Sequence, residues 1–387
     1  MKKMYLMLLV LIFSIQISSA TGLKSGIAVR IEPVLVQYAA NDKLNVGITY
    51  TNVGSESVRF LKWNTALVGD IQYDFLSVLF GDKELPYTGV HIKRLPPKAS
   101  DFITLEAGQS QTAVVDLSKA YRISSKGNYT LLYRGVSVVN GSASFKSVGQ
   151  VTINVSEARL IPSDAARKKT PNIHASCSTL QRSQINEALG IAERISITAV
   201  NDLNSAPIEQ RETASRYLEW FGAYSVSRYQ AVSRGMANIS NALVNRQIGF
   251  DCTCDISGRE GIFAFVYPSD PYNMNVCPVF FQTTPSGTDS RSGTIVHEIS
   301  HFTIVAASDD FQTALDQSGS RALARSNPNS AIKNANAFEY FAENTPFLAM
   351  PRGVTDPDPD PDPDPDPDPE KKKPIVAPIL PLLLDDA

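Results

Sequence analysis

The run His297-Glu298-Ile299-Ser300-His301 decides how the C-terminal half of this 387-residue chain is read. It has the form H-E-x-x-H. Its neighbours Ile295, Ile299 and Phe302 fall at helical spacing, so the two histidines stand one turn apart on a single face of an apolar helix. Imidazoles so placed reach one tetrahedral zinc ion, and Glu298, beside the first of them, is placed to take a proton from water activated by that ion. Short motifs also arise by chance, and the bland alternative is a surface His-Glu-His group. The apolar setting argues against it, as does economy: two of the four histidines in the chain are used here.

A hydrolytic zinc usually has three protein ligands and one open position. The longer pattern that adds a glycine and a third histidine is excluded, because those positions hold Ile304 and Ala307. A later helical run, Phe338-Glu339-Tyr340-Phe341-Ala342-Glu343-Asn344, offers Glu339 or Glu343. The nearby pair Asp309 and Asp310 offers an aspartate. The residues alone leave these alternatives open.

Outward from the motif, residues 172–350 have a helical texture. Tyr229, Val232, Met236, Ile239 and Leu243 are spaced three and four apart. Leu180–Val200 and Ala331–Asn344 are further helical candidates, with a β-like patch at Ile262–Tyr267 and Val276–Phe281. Residues 21–157 read as all-β. Leu44, Val46, Ile48 and Tyr50 alternate with polar or small residues, as do Tyr129, Leu131 and Tyr133, followed by Val151, Ile153 and Val155. Turn signals between short strands point to a β-sandwich, and nothing in this half has the look of a catalytic cluster. The expected fold class is therefore α+β: a mostly helical catalytic domain of zincin type preceded by an all-β sandwich.

The remaining segments carry processing and targeting signals. Residues 1–20 combine Lys2 and Lys3, an apolar run and Ser18-Ser19-Ala20, the form of a cleaved export signal. Residues 158–171 are polar and basic, an exposed linker of the kind that is nicked by proteases. Residues 351–387 contain seven Asp-Pro pairs from Asp356 to Pro369, an extended acidic tail, then Lys371–Lys373 and a proline-interrupted apolar stretch too short to span a bilayer. The formal net charge of −3 comes from that tail, so nothing points to nucleic acid. Cys177, Cys252, Cys254 and Cys277 are an even set in an exported chain, which suggests two disulfides rather than a zinc ribbon. Cys252 and Cys254 are too close in sequence to pair with each other. The chain is expected to be secreted or held at the cell surface, without a stable membrane span.

His297–Asp310, taken with Asn334–Asn344 and the order of the cysteines, resembles the aspzincin (deuterolysin) metallopeptidases over roughly 172–350. The likeness is greatest to the lysine-specific endopeptidases. The resemblance implies one zinc per chain, held by His297, His301 and Asp310, the last matching the second aspartate of a Gly-Thr-Asp-Asp run. It implies bridges Cys177–Cys252 and Cys254–Cys277, and the β-rich half is similar to the prodomain of bacterial members. The partners implied are protein or peptide substrates and the chain's own prodomain. Two departures stand out. Ala307-Ser308 replaces Gly-Thr, and Thr313 stands where a tyrosine would donate to the tetrahedral intermediate. Thr313 is thus a candidate transition-state stabiliser in doubt, and it is the best support for a rival reading, a degenerate peptidase displayed as a binding or adhesion protein.

The resemblance also implies cleavage on the N-terminal side of lysine. Two acidic residues of the family's lysine pocket match Asn336 and Glu339, so one charge is lost and one kept. A compositional bias points the same way. Asn172–Met350 holds eleven arginines and one lysine, Lys333, whereas the rest of the chain holds sixteen lysines and eight arginines. Compositional drift explains such a bias, but so does a lysine-directed protease that avoids its own cut sites and leaves Lys168 and Lys169 in the linker for processing. A broad deuterolysin-like specificity is the alternative.

Overall fold

The computed structural model describes residues 26–134, 144–159 and 175–351. The export signal, the linker from residue 160 onward and the Asp-Pro tail lie outside the described residues.

The N-terminal half is a sandwich of two sheets. In one, Gly26–Pro33 pairs in parallel with Ser144–Ser147 and antiparallel with Asn45–Asn52, which in turn pairs with Ser110–Asp116. In the other the order is Gln37–Tyr38, Val151–Val155, Gly127–Tyr133, Leu76–Phe80 and Lys83–Glu84. Alternation puts Val46, Ile48 and Tyr50 of the first sheet and Tyr129, Leu131 and Ile153 of the second into one core. Each large aliphatic side chain buried there contributes about 1.5–3 kcal/mol relative to exposure.

The C-terminal half is built on two long helices, Thr179–Ser205 and Val226–Asn245, packed on the motif helix Arg291–His301 and on Ala335–Glu343. The five apolar residues expected on one face of the second helix, from Tyr229 to Leu243, are all buried in this core. The bridges Cys177–Cys252 and Cys254–Cys277 are both present.

Two expected elements differ in detail. The second part of the β patch lies earlier than expected: the strand is Asn273–Val276, which meets the expected Val276–Phe281 only at Val276, because Cys277 is tied to Cys254, Pro278 has no amide to donate and Phe280–Gln282 turns as a short 3-10 helix. The helix expected over Ala331–Asn344 is broken. Pro328–Ala331 ends, and Ala335–Glu343 starts afresh with Asn334 as its cap, accepting from the Asn336 amide at 3.3 Å.

The junction of the halves is a shared sheet. Gly249–Asp251, Asn273–Val276 and Ile262–Val266 belong to the C-terminal half, but the fourth strand, His91–Arg94, comes from the β half. It lies antiparallel to Ile262–Val266, with His91 opposite Val266, Ile92 opposite Phe265 and Lys93 opposite Ala264.

Candidate metal centre and substrate cleft

The motif helix Arg291–His301 is buried at all eleven positions. Ser290 caps it by accepting from the Gly293 amide at 3.0 Å. Glu343 steadies the same end, accepting from the Ser290 amide at 2.9 Å and from its hydroxyl at 2.7 Å, as suits a carboxylate at a helix N-terminus. The next helix can come this close only because position 293 is glycine. A Cβ there would lie 1.9 Å from Glu343 Oε1 and 3.0 Å from Glu339 Oε1.

Beyond His301 the chain reverses through Ala307, whose φ of +48° lies in the left-handed region. That conformation is why a glycine suits this position, and alanine there is strained. The broken helix now finds its use. The Asp309 amide donates to the Lys333 carbonyl at 2.7 Å and the Ala335 amide to the Asp309 carbonyl at 3.1 Å. This short bridge clamps the Asp pair to the start of Ala335–Glu343 and turns Asp310 toward the histidines.

The Oδ1 atom of Asp310 lies 3.1 Å from His297 Nε2 and 3.5 Å from His301 Nε2. The outer nitrogens are held from behind. His301 Nδ1 is 3.0 Å from the Ser308 carbonyl, which can only accept, so the proton sits on Nδ1 and the lone pair of Nε2 points inward. His297 Nδ1 is 3.2 Å from Glu339 Oε2. Both Nε2 atoms are buried without a hydrogen-bond donor or acceptor in good geometry. Burial resists charge on His297, but Asp310 and Glu339 overcome it and hold that imidazole up at about 10. Burial likewise opposes ionisation of Asp310, yet His301 and His297 keep its carboxyl well below the usual range. Two buried imidazole nitrogens and a half-buried carboxylate oxygen facing one point, with a local demand for positive charge, fit a divalent cation with nitrogen and oxygen ligands.

The other acidic candidates are engaged elsewhere. Glu343 holds the helix start, Asp309 has a 62% exposed side chain and approaches His91 at 3.6 Å, and Glu339 stands behind the ring of His297. Glu298 is fully buried next to the histidines; burial raises its carboxyl to about 7 against the pull of His297 and His301. Thr313 is exposed in the turn after the Asp pair. Asn336 is buried and donates to the Ala314 carbonyl at 2.6 Å.

Nothing in the sequence of the β half has the look of a catalytic cluster, yet that half reaches the site. Its strand His91–Arg94 runs through the cleft. The Ile92 amide donates to Asp310 Oδ2 at 2.9 Å and the Lys93 amide to Glu298 Oε1 at 3.3 Å. The Lys93 ammonium sits 2.6 Å from Glu339 Oε2 and 3.0 Å from Asp289 Oδ1, beneath the rings of Phe263 and Tyr340. His91 packs on His301 with ring centroids 4.6 Å apart. Sequence reading missed His91, Lys93 and Asp289, because His91–Arg94 looks like any short strand. The one available signal was that His91 is one of only four histidines.

Comparison with known proteins identifies the family. Residues 207–343 match the aspzincin family model, described as lysine-specific metallo-endopeptidase. The chain is 34% identical over 322 residues to an extracellular protease of Aeromonas hydrophila, covering 79% of this chain and 90% of the relative. It is 30% identical over 348 residues to the peptidyl-Lys metalloendopeptidase of Armillaria mellea, covering 86% and 95%. Among solved structures, a zinc peptidase from Grifola frondosa is matched over its whole length by 45% of this chain, at 32% identity and a TM-score of 0.40.

Proposed function

The chain belongs to the aspzincin family of metalloendopeptidases, and on that premise we propose that it is a secreted zymogen whose C-terminal half cleaves proteins on the N-terminal side of lysine. His297, His301 and Asp310 would hold one zinc, which when bound would supply polarisation of the scissile carbonyl and acidification of water. Glu298, beside His297, is placed to take a proton from the attacking water and hand it to the departing amine. Ser308 holds the His301 imidazole in the tautomer that keeps Nε2 available, and Glu339 lies 3.2 Å behind His297 Nδ1.

The observation that carries this reading is the convergence of Asp310 Oδ1 on both Nε2 atoms with Glu298 alongside. For lysine, the support is the pocket in which Glu339 and Asp289 receive an ammonium between two aromatic rings. Carboxylates together with π faces favour a long cationic side chain. Export is supported by the leader at residues 1–20, by the two disulfides and by the relative named an extracellular protease; no helix among the described residues is long and apolar enough to cross a membrane. The basic linker 158–171 supplies a place for processing.

The test is to digest a denatured protein with the processed enzyme and sequence the fragments by mass spectrometry, with and without a zinc chelator. New fragments should begin with lysine, and the chelator should abolish them. Fragments beginning equally with arginine or apolar residues would leave a broad specificity in place of the lysine reading.

A further inference from the structure

We propose that the strand His91–Arg94 is a substrate mimic built into the β half, with Lys93 filling the side-chain pocket of the cleft and Asp289 acting as that pocket's second carboxylate. The inference rests on reading the cleft as that of a lysine-directed peptidase.

Three observations carry it. The first is the backbone. Among the described residues, Ile262–Val266 pairs on one side with Asn273–Val276 and on the other with His91–Arg94. Without that strand it is an unpaired edge beside the motif helix, the kind of edge to which an extended peptide adds by main-chain hydrogen bonds. The second is register. The amides on either side of the Ile92–Lys93 bond point at Asp310 and Glu298. The bond on the N-terminal side of a lysine therefore lies against the groups that would cleave it.

The third is charge. The Lys93 side chain is 2% exposed, and burying an ammonium costs several kcal/mol unless it is paired. Here it is paired twice, by a fully buried glutamate and by Asp289, whose Oδ1 also accepts from the Tyr340 hydroxyl at 2.9 Å. Asp289 adopts a left-handed φ of +51°, a strained conformation for a residue with a side chain, and strain of this kind gathers at binding sites. With Lys93 withdrawn, two carboxylates would share an aromatic-walled pocket with no cation between them. The arrangement calls for a lysine, first from the β half and afterwards from a substrate. Asn336, turned to the Ala314 carbonyl, leaves Asp289 to supply the second charge.

His91 adds a stopper. Its ligand-capable nitrogen lies within 4.8 Å of those of His301 and Asp310, a group of three that could hold an ion together. With an ion bound at His301 and Asp310, it would take up coordination that catalysis needs open. This separates the strand from a true substrate and keeps the Ile92–Lys93 bond intact.

The experiment uses the full-length chain, purified before processing and verified by intact mass. Amine-reactive labelling read by mass spectrometry should modify Lys93 at least about 100-fold more slowly than the exposed Lys43 and Lys119; labelling at a similar rate would overturn the proposal. Lys93→Met in the full chain should raise hydrolysis of a lysine-containing peptide about tenfold or more over the unsubstituted full chain. No rise, while the processed enzyme cleaves that peptide, refutes the mimic. A processed enzyme that ignores lysine peptides is instead a failure of the specificity reading, and the labelling result still decides whether the pocket is filled. His91→Gln should speed zinc loss to a chelator about tenfold, and an unchanged rate removes His91 from the device. A fragment beginning at Lys93 would show that the strand is cut and is not an inhibitor.

Discussion

The helix Arg291–His301 and the strand His91–Arg94 meet at the same site, but they are fixed in different ways. The helix is sunk in the core of its own half, and its histidines are set one turn apart by helical period alone. The strand is held by pairing to Ile262–Val266 and by bonds that cross more than 200 residues of sequence, from Lys93 to Glu298 and Glu339. The metal centre is thus a property of the C-terminal half. What occupies the cleft is a property of how the two halves meet. The first should survive loss of the β half, and the second should not.

The largest expected effects test the intrinsic side of that contrast. Asp310→Ala should lose zinc, read by atomic absorption after dialysis, while Asp309→Ala keeps it, because only Asp310 faces both Nε2 atoms. Glu298→Gln should retain zinc yet lose roughly 100- to 10,000-fold in kcat, the span of a general base. Full zinc occupancy in Asp310→Ala would return the third ligand to Glu339 or Glu343.

Next comes the pocket, where the two regions touch. Glu339→Gln should cost the processed enzyme more of its preference for lysine over other residues than Asp289→Asn, measured as the ratio of kcat/KM for matched peptides. Glu339 is fully buried, whereas the Asp289 side chain is 37% exposed and its charge is better screened by water. We expect about a hundredfold loss for the first and about tenfold for the second, each ion pair contributing on the order of 1.5–3 kcal/mol. Equal and small effects would mean that Phe263 and Tyr340 alone select the side chain.

How much of this was legible in the sequence follows the same division. His297, Glu298 and His301 were readable because a helix turns i and i+4 to one face. The alternating strands of the sandwich were readable for the equivalent reason. Asp310 was one of four open choices until a resemblance selected it, because its position depends on the bridge from Asp309 to the chain around Asn334, and periodicity carries no trace of such a bridge. Lys93 and Asp289 were not legible at all. A lysine in a short strand and an aspartate before a helix are ordinary until the fold brings them within 3.0 Å. The break in the expected helix at Ile332–Asn334 was likewise hidden, since its cause is a hydrogen bond to the Asp309 amide from outside the segment.

A further substitution examines the packing that supports the metal. Gly293→Ala places a methyl group 1.9 Å from Glu343 Oε1, and either the carboxylate or the whole helix Ala335–Glu343 must move. Overpacking of this kind costs about 1–3 kcal/mol. It should lower the midpoint of thermal unfolding and also weaken zinc binding, since Glu339 behind His297 rides on the same helix. A lowered midpoint with unchanged zinc affinity would show that the ligands are held without help from that helix.

The smallest effect is expected at Ala307, and its sign is informative. A left-handed φ of +48° costs a residue with a Cβ roughly 1–2 kcal/mol, while glycine adopts it freely. Replacing alanine by glycine also loosens the unfolded chain, which takes back about 0.4–1 kcal/mol. The balance favours Ala307→Gly by about 0.5 kcal/mol, a rise of a few degrees at most in the unfolding midpoint of the C-terminal half. Because this turn delivers Ser308 to His301 and Asp310 to both histidines, relief of its strain leaves the ligand geometry in place and zinc affinity unchanged. A destabilised Ala307→Gly would mean that the alanine methyl makes packing contacts that outweigh its backbone strain. A stabilised variant that binds zinc more weakly would show that the strained turn helps to press Asp310 onto the metal position.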